Sequence, residues 1–259
     1  MTDANSYPRD MVGYGEHPPH AQWPDNARVA VQFVLNYEEG GENCVLHGDE
    51  HSETFLSDIV GAEAYRDRHM SLESLYEYGS RAGVWRILKE FRKRELPLTI
   101  FGVTMALARN PDVVKAFVAD GHEIAHHGYM HEPPATLTPD QEHEILKRGI
   151  SILGGITGKA PTGYRSPSWE LSEHSIELLT SHGFTYDSSL MGDDAPYVIN
   201  PGTAQSLVEI PIHWLLDDAP NFVYAPAANR LGPMRNPDEV YGTWAAEFEG
   251  LYRYGRAFT

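Results

Sequence analysis

Short apolar runs that stop at an acid, a glycine or a histidine alternate along this chain with segments of helical period, and that alternation limits the folds open to it. Residues 28–35 are nearly all apolar and rich in β-branched side chains, the pattern of a buried strand. They run into Asn36-Tyr37-Glu38-Glu39-Gly40-Gly41, two adjacent carboxylates and two glycines at a strand end. Val84, Ile87, Leu88 and Phe91 recur at helical spacing before Leu96-Pro97, and residues 98–103 give a second strand. A helix over 111–120 precedes a short strand at 122–125. Thr138-Pro139-Asp140-Gln141 has the form of a capping box with proline at the first helical position, opening a helix that turns Ile145, Leu146, Ile150 and Leu153 inward and stops near Gly158. Strands are expected again at 161–167, 184–187 and 207–213, with Ser172 capping a helix between the first two. Asn236 caps a last helix with Val240, Trp244, Phe248 and Leu251 on one side. Strands alternating with helices imply a mostly parallel sheet, and this many units favour a barrel over a flat sheet in an α/β domain.

The densest chemistry lies in Gly121-His122-Glu123-Ile124-Ala125-His126-His127-Gly128-Tyr129-Met130-His131-Glu132, which stops at Pro133-Pro134. His127 and His131 are four apart, and a single helical turn would bring both imidazoles to one side, within reach of one cation. Three such places fall at expected strand ends: Glu38 with Glu39, His127 with His131, and Arg165. Two imidazoles and one carboxylate suit a catalytic divalent ion such as Zn²⁺, with a position left for water. A second carboxylate would serve as general base and a guanidinium would keep that base ionised. Amide hydrolysis needs these parts. His122 and His126 read as structural neighbours of the pair, and Trp169, Trp214 and Trp244 as core.

The chain has 259 residues, room for one large domain with its own core, and neither an internal repeat nor a low-complexity linker divides it. A formal net charge of −17 argues against nucleic acid and anionic membrane as partners, since both are polyanions. Cys44 is the single cysteine, so no internal disulfide can form. Residues 1–27 are polar and rich in proline, which predicts an extended arm; without an apolar core there, the expected location is the cytoplasm. Residues 42–80 carry weak periodicity and many charges, and are expected to form a long excursion that covers the site or makes an oligomer contact.

The motifs together resemble the polysaccharide deacetylase superfamily, the NodB-homology fold. Asn36-Tyr37-Glu38-Glu39-Gly40 is similar to its first motif, usually Thr/Ser-Phe-Asp-Asp-Gly, and Gly121-His122-Glu123-Ile124 through His131 to its second, His-x-x-x-His. Tyr164-Arg165-Ser166-Pro167 resembles its third, Tyr186-Asp187-Ser188-Ser189 its fourth, and Glu209-Ile210-Pro211 its fifth. The resemblance runs in order through most of residues 28–259 and implies a distorted (β/α) barrel of about seven strands over that span. It also implies hydrolysis of a carbon–nitrogen bond that is not a peptide bond. Residues 7–10, 35–42 and 76–85 look closest to a branch of allantoinase-like and cyclic-imide hydrolases, which opens small cyclic ureides or imides inside the cell. Residues 163–218 are more similar to the branch named for peptidoglycan deacetylase activity.

By correspondence Glu39 is the metal carboxylate beside His127 and His131, Glu38 the base, and Arg165 its orienting partner. Both motif aspartates are glutamates here, each about 1.5 Å longer in reach, so Glu39 either binds the ion or occupies its place in a metal-free mechanism. His213 in Ile212-His213-Trp214 is the candidate acid, although relatives often carry that histidine on a last strand, which in this chain would begin at Ala257-Phe258-Thr259. The expected function is hydrolysis of a small amide, preferably a cyclic ureide or imide, by a homo-oligomer. The rivals are an N-deacetylase of amino sugars and a catalytically dead barrel that binds a ligand or serves in an assembly.

Overall fold

The structure, a computed structural model, describes residues 9–200, 205–224 and 234–259. The first eight residues of the expected arm, Tyr7 and Pro8 among them, lie outside that range. Seven strands form one sheet: β2 (Val34–Tyr37), β3 (Thr99–Gly102), β4 (Glu123–His126), β5 (Gly163–Tyr164), β6 (Tyr186–Asp187), β8 (Leu207–Glu209) and β7 (Tyr197–Ile199), neighbours in that order. All pairings are parallel except that of β7 with β8. A second ladder pairs β1 (Ala30–Val31) with β9 (Ala257–Phe258), also parallel.

The expected strand over 28–35 is therefore two strands, broken at Gln32-Phe33. Gln32 donates its N–H to Phe258 while the Phe33 carbonyl accepts from Thr99, so the chain serves β9 on one side of the break and β3 on the other. The break also turns side chains outward: Val31 is 42% and Phe33 38% exposed, not the buried run that their apolarity suggested. On the far side, the Ala257 N–H donates to Asp194 and Arg256 lies 3.0 Å from the Asp194 carboxylate, which ties β9 to the segment entering β7. The sheet thus curls into a distorted (β/α) barrel of a single domain, and the last residues form a strand as the sequence suggested.

The helices that feed the parallel strands are α1 (Met70–Tyr78), α2 (Val84–Arg94), α3 (Thr104–Arg109), α4 (Pro111–Ala119), α5 (Pro139–Thr157) and α6 (Ser175–Ser181); α7 (Ala219–Phe222) and α8 (Pro237–Tyr254) follow β8. In α5 the Thr138 hydroxyl accepts from the Gln141 N–H, the Gln141 side chain returns the bond, and left-handed Gly158 ends the helix. Asn236 caps α8 by accepting from the Asp238 N–H. The main core joins Val84 and Leu88 of α2, Ile100 of β3, Val113 and Phe117 of α4, and Ile124 of β4, all buried. A smaller cluster joins Leu146 of α5 to Tyr164, Leu179, Phe184 and Leu207. Burial of these apolar surfaces fixes the strands, and the strands fix what lies at their ends.

Candidate active site

Five parallel strands stop at or just before a polar residue. Tyr37 of β2 hands on to Glu38, His126 of β4 to His127 and Tyr164 of β5 to Arg165, while Asp187 and Glu209 close β6 and β8. The C-terminal ends of parallel strands are where barrels keep their chemistry, because side chains there converge without disturbing the core below.

His127 and His131 do meet, their ring centroids 5.8 Å apart, but not on a helical turn. Gly128 between them has φ of +76°, outside the helical region, and a Cβ there would come within 2.7 Å of the Met130 carbonyl and 2.9 Å of Pro167. The loop is pinned by backbone bonds instead: Thr104 and Met105 donate to the Gly128 and Tyr129 carbonyls, and His131 donates to that of Gly41. His126 anchors the start of the loop. It is fully buried, stacks on Tyr164, and its Nδ1 accepts from the Gly128 N–H.

The carboxylate that meets both imidazoles is Glu38, not Glu39 as the motif correspondence implied. Glu38 Oε1 lies 3.1 Å from His127 Nε2 and Oε2 lies 3.5 Å from His131 Nε2. Burial works against charge on Glu38, but the hydrogen bond from His127, the two imidazoles and the Asn36 amide outweigh it and hold the carboxyl down at about 2. Burial lowers His131, which favours its neutral, ligating form. Nδ1 of buried His127 lies 2.8 Å from the Arg165 carbonyl, so that nitrogen carries the proton and Nε2 is the atom presented to Glu38.

These three donors all lie within 4.8 Å of one another. Each imidazole Nε2 has its own Glu38 oxygen beside it, Oε1 at 3.1 Å for His127 and Oε2 at 3.5 Å for His131, so the carboxylate spans the pair. Lone pairs from a carboxylate and an imidazole repel at this range unless a cation lies between them, either a proton on Nε2 or a metal ion. The donor set therefore fits a divalent ion of the Zn²⁺ type.

Glu39 turns the other way. A widened helical turn, Gly79–Gly83, joins α1 to α2, and the Glu39 side chain fills the space that a Cβ on Gly79 would occupy. Burial raises its pKa. The reach of the extra methylene is thus spent on packing against the turn at Gly79, away from the imidazoles.

Arg165 does not pair directly with Glu38. Its guanidinium is buried over the Phe101 ring at 4.3 Å, with Nε donating to the Ser188 carbonyl and Nη2 to the Ser188 hydroxyl. Nη1 reaches Asn36 Oδ1 at 3.4 Å, and the Asn36 side chain in turn bonds Glu38. Burial lowers Arg165 to about 10, still cationic at neutral pH. His213, the expected acid, is exposed; its Nδ1 accepts from the Leu215 N–H, and no hydrogen bond or ion pair joins it to Glu38, His127 or His131 among the described residues. Burial raises the pKa of half-buried Asp217, on which the charges of Asp218, Arg165 and Glu38 also act. Asn36 opens the first motif and Asp217 falls in the 163–218 stretch, but neither position announces a role in sequence; the fold brings them here.

The excursion supplies the wall. A cavity of about 390 Å³ opens beside Glu38 and His131 and is lined by Glu42, Glu53, Phe55 and Tyr76. Cys44, buried within the excursion, is a free thiol.

The model of the family described as Polysaccharide deacetylase matches residues 66–186. A peptidoglycan deacetylase of Helicobacter pylori is 34% identical over 199 residues, which cover 68% of this chain and 68% of that protein. Among solved structures, Puue allantoinase superposes with a TM-score of 0.86 at 42% identity, over 97% of this chain and 83% of that one. A probable polysaccharide deacetylase from Pseudomonas aeruginosa also gives 0.86, at 44% identity and the same coverage.

Proposed function

The chain belongs to the polysaccharide deacetylase family, and from that premise we propose that it hydrolyses a small non-peptide amide, with a cyclic ureide or imide as the leading substrate class. The observation that carries this reading is the walled cavity. Its volume of about 390 Å³ lies at the low end of small-molecule sites and is ill suited to an extended glycan strand. The carboxylates of Glu38, Glu42 and Glu53 on its wall disfavour anionic substrates and tolerate neutral, N–H-bearing rings. The likeness to Puue allantoinase supports the same class.

Glu38, His127 and His131 would hold a divalent ion, which when bound polarises a carbonyl and acidifies water to a pKa of about 7. The protein's own groups prepare that place. The Arg165 carbonyl fixes the tautomer of His127, Asn36 and the imidazoles keep Glu38 ionised, and the loop pinned at Gly128 sets the spacing of the two rings. Asp217, with its raised pKa, is the candidate to exchange a proton with substrate.

Likeness to the Helicobacter pylori peptidoglycan deacetylase favours a second reading, N-deacetylation of an amino sugar. One assay separates them: purified chain, with and without Zn²⁺, is offered allantoin, hydantoin and succinimide beside N-acetylated sugars. Ring opening supports the first reading; acetate release replaces it with the second. No turnover of any of them, with a ligand still raising Tm, indicates a binding protein.

A further inference from the structure

Behind Arg165 lies a pair of acids that the site does not use. Asp187 and Glu209 are direct register partners on β6 and β8, and both are fully buried. Glu209 Oε1 accepts the N–H groups of Ser189 and Leu190 at 3.0 and 2.9 Å, and Asp187 Oδ1 accepts the Ser189 hydroxyl at 2.7 Å. Each acid is left with one oxygen, Oδ2 and Oε2, that finds no donor among the described residues. Two carboxylates side by side, out of water and with two orphaned oxygens, are a combination that ionised groups do not sustain. A single proton between them satisfies both.

We propose that Asp187 and Glu209 share one proton at neutral pH and present one net negative charge to Arg165, acting as positioning residues behind the catalytic centre. The surroundings agree with a single charge. Arg165 is the cation that faces the pair; Tyr164, Tyr186 and Tyr197 face it as neutral phenols, each raised by burial. Glu142 of α5 is held by the hydroxyls of Ser172 and Ser175 instead. Burial raises Asp187 and Glu209 alike. Aspartic protease dyads share a proton for the same reason, that like charges in contact cannot both ionise.

The pair also fixes geometry. Its bonds order Ser189; the Ser189 hydroxyl accepts the Ser166 N–H, and the neighbouring Ser188 grips the Arg165 guanidinium. The Arg165 guanidinium then reaches Glu38 through Asn36. This last step rests on the reading of His127 and Glu38 as the active centre; proton sharing does not.

The test uses the full chain and three variants of nearly equal volume: Asp187→Asn, Glu209→Gln, and both together. Infrared spectroscopy at pH 7 is expected to show the carbonyl stretch of a neutral carboxylic acid in the natural sequence and not in either single variant. Each single variant keeps one charge and one hydrogen bond within the pair, so Zn²⁺ affinity by calorimetry is expected to hold. The double variant removes the pair's charge from Arg165, and affinity is expected to fall about 10-fold to 100-fold, the range for outer-shell partners. Absence of a neutral-acid signal in the natural chain overturns proton sharing, whatever the metal does. A normal signal with single variants as damaging as the double one overturns the single-charge role. If the double variant does not fold, the infrared comparison of the other chains still decides whether the proton is shared.

Discussion

Nδ1 of His127 and the backbone oxygen of Arg165, 38 positions apart in sequence, lie 2.8 Å from each other. The contact crosses between neighbouring parallel strands, β4 and β5, whose register pairs His126 with Tyr164. A main-chain oxygen cannot be lost by substitution, so the tautomer of His127 is guaranteed by the sheet itself. The arginine side chain is then free for another task, the chain of bonds through Asn36 to Glu38.

The position of Glu38, rather than Glu39, beside both imidazoles gives the sharpest test. Glu38→Gln and His131→Ala are each expected to weaken Zn²⁺ binding by more than about 100-fold, beyond the range of outer-shell changes. Glu39→Gln is expected to leave it unchanged. Titration calorimetry on the three variants checks the assignment, and equal losses at both glutamates would sink it.

Asp217→Asn is expected to lower turnover by about 10²- to 10⁴-fold, the contribution typical of general acid–base catalysis, without changing Zn²⁺ affinity. The pH–rate profile should also lose one limb. Unchanged turnover with a retained profile would remove Asp217 from the mechanism.

Gly128→Ala places a side chain at a positive φ and against both Met130 and Pro167. A loss of about 1–3 kcal/mol of stability is expected from the backbone strain, read as a lower urea midpoint. Zn²⁺ binding should fall with it, because the turn sets the spacing of the imidazoles.

His126 supplies a pH dependence with a defined sign. Burial, aided by the charges of His127 and His182, lowers it from 6.5 to about 3. The unfolded chain takes up this proton as pH falls through about 6.5, whereas the folded chain waits until about 3, so the unfolded state binds more protons across that window. The stability contributed by the neutral ring is complete above about 6.5 and is lost as pH drops toward 3. Urea midpoints measured from pH 7 to pH 4 should fall, and His126→Gln should make the slope shallower.

The alternation of apolar runs and helical segments in the sequence carried the barrel. The capping box at Thr138 and the cap at Asn236 were readable because they are local, involving side chains a few residues from the amides they bond. The site was legible in its residue types and less so in its roles. His127 and His131 belong together, but the bond that makes Gly128 a turn comes from Thr104, which spacing alone cannot reveal. Which of two adjacent glutamates faces the imidazoles depends on the parity of β2 and on the space left at Gly79, neither of which is written in residues 36–41. His213 lay in a plausible motif, yet its strand ends at Glu209, four residues earlier, and leaves it in solvent.

Gly79 and Glu39 form a lock that spans two elements. A Cβ at 79 would displace the Glu39 carboxylate from its place, and a shorter acid at 39 would leave that place empty unless 79 gains an atom. Substitutions at the two positions should therefore travel as a pair through related sequences, Glu with Gly and Asp with Ala. In a large alignment that covariation would mark how the helix α1 is seated, before any coordinates are determined.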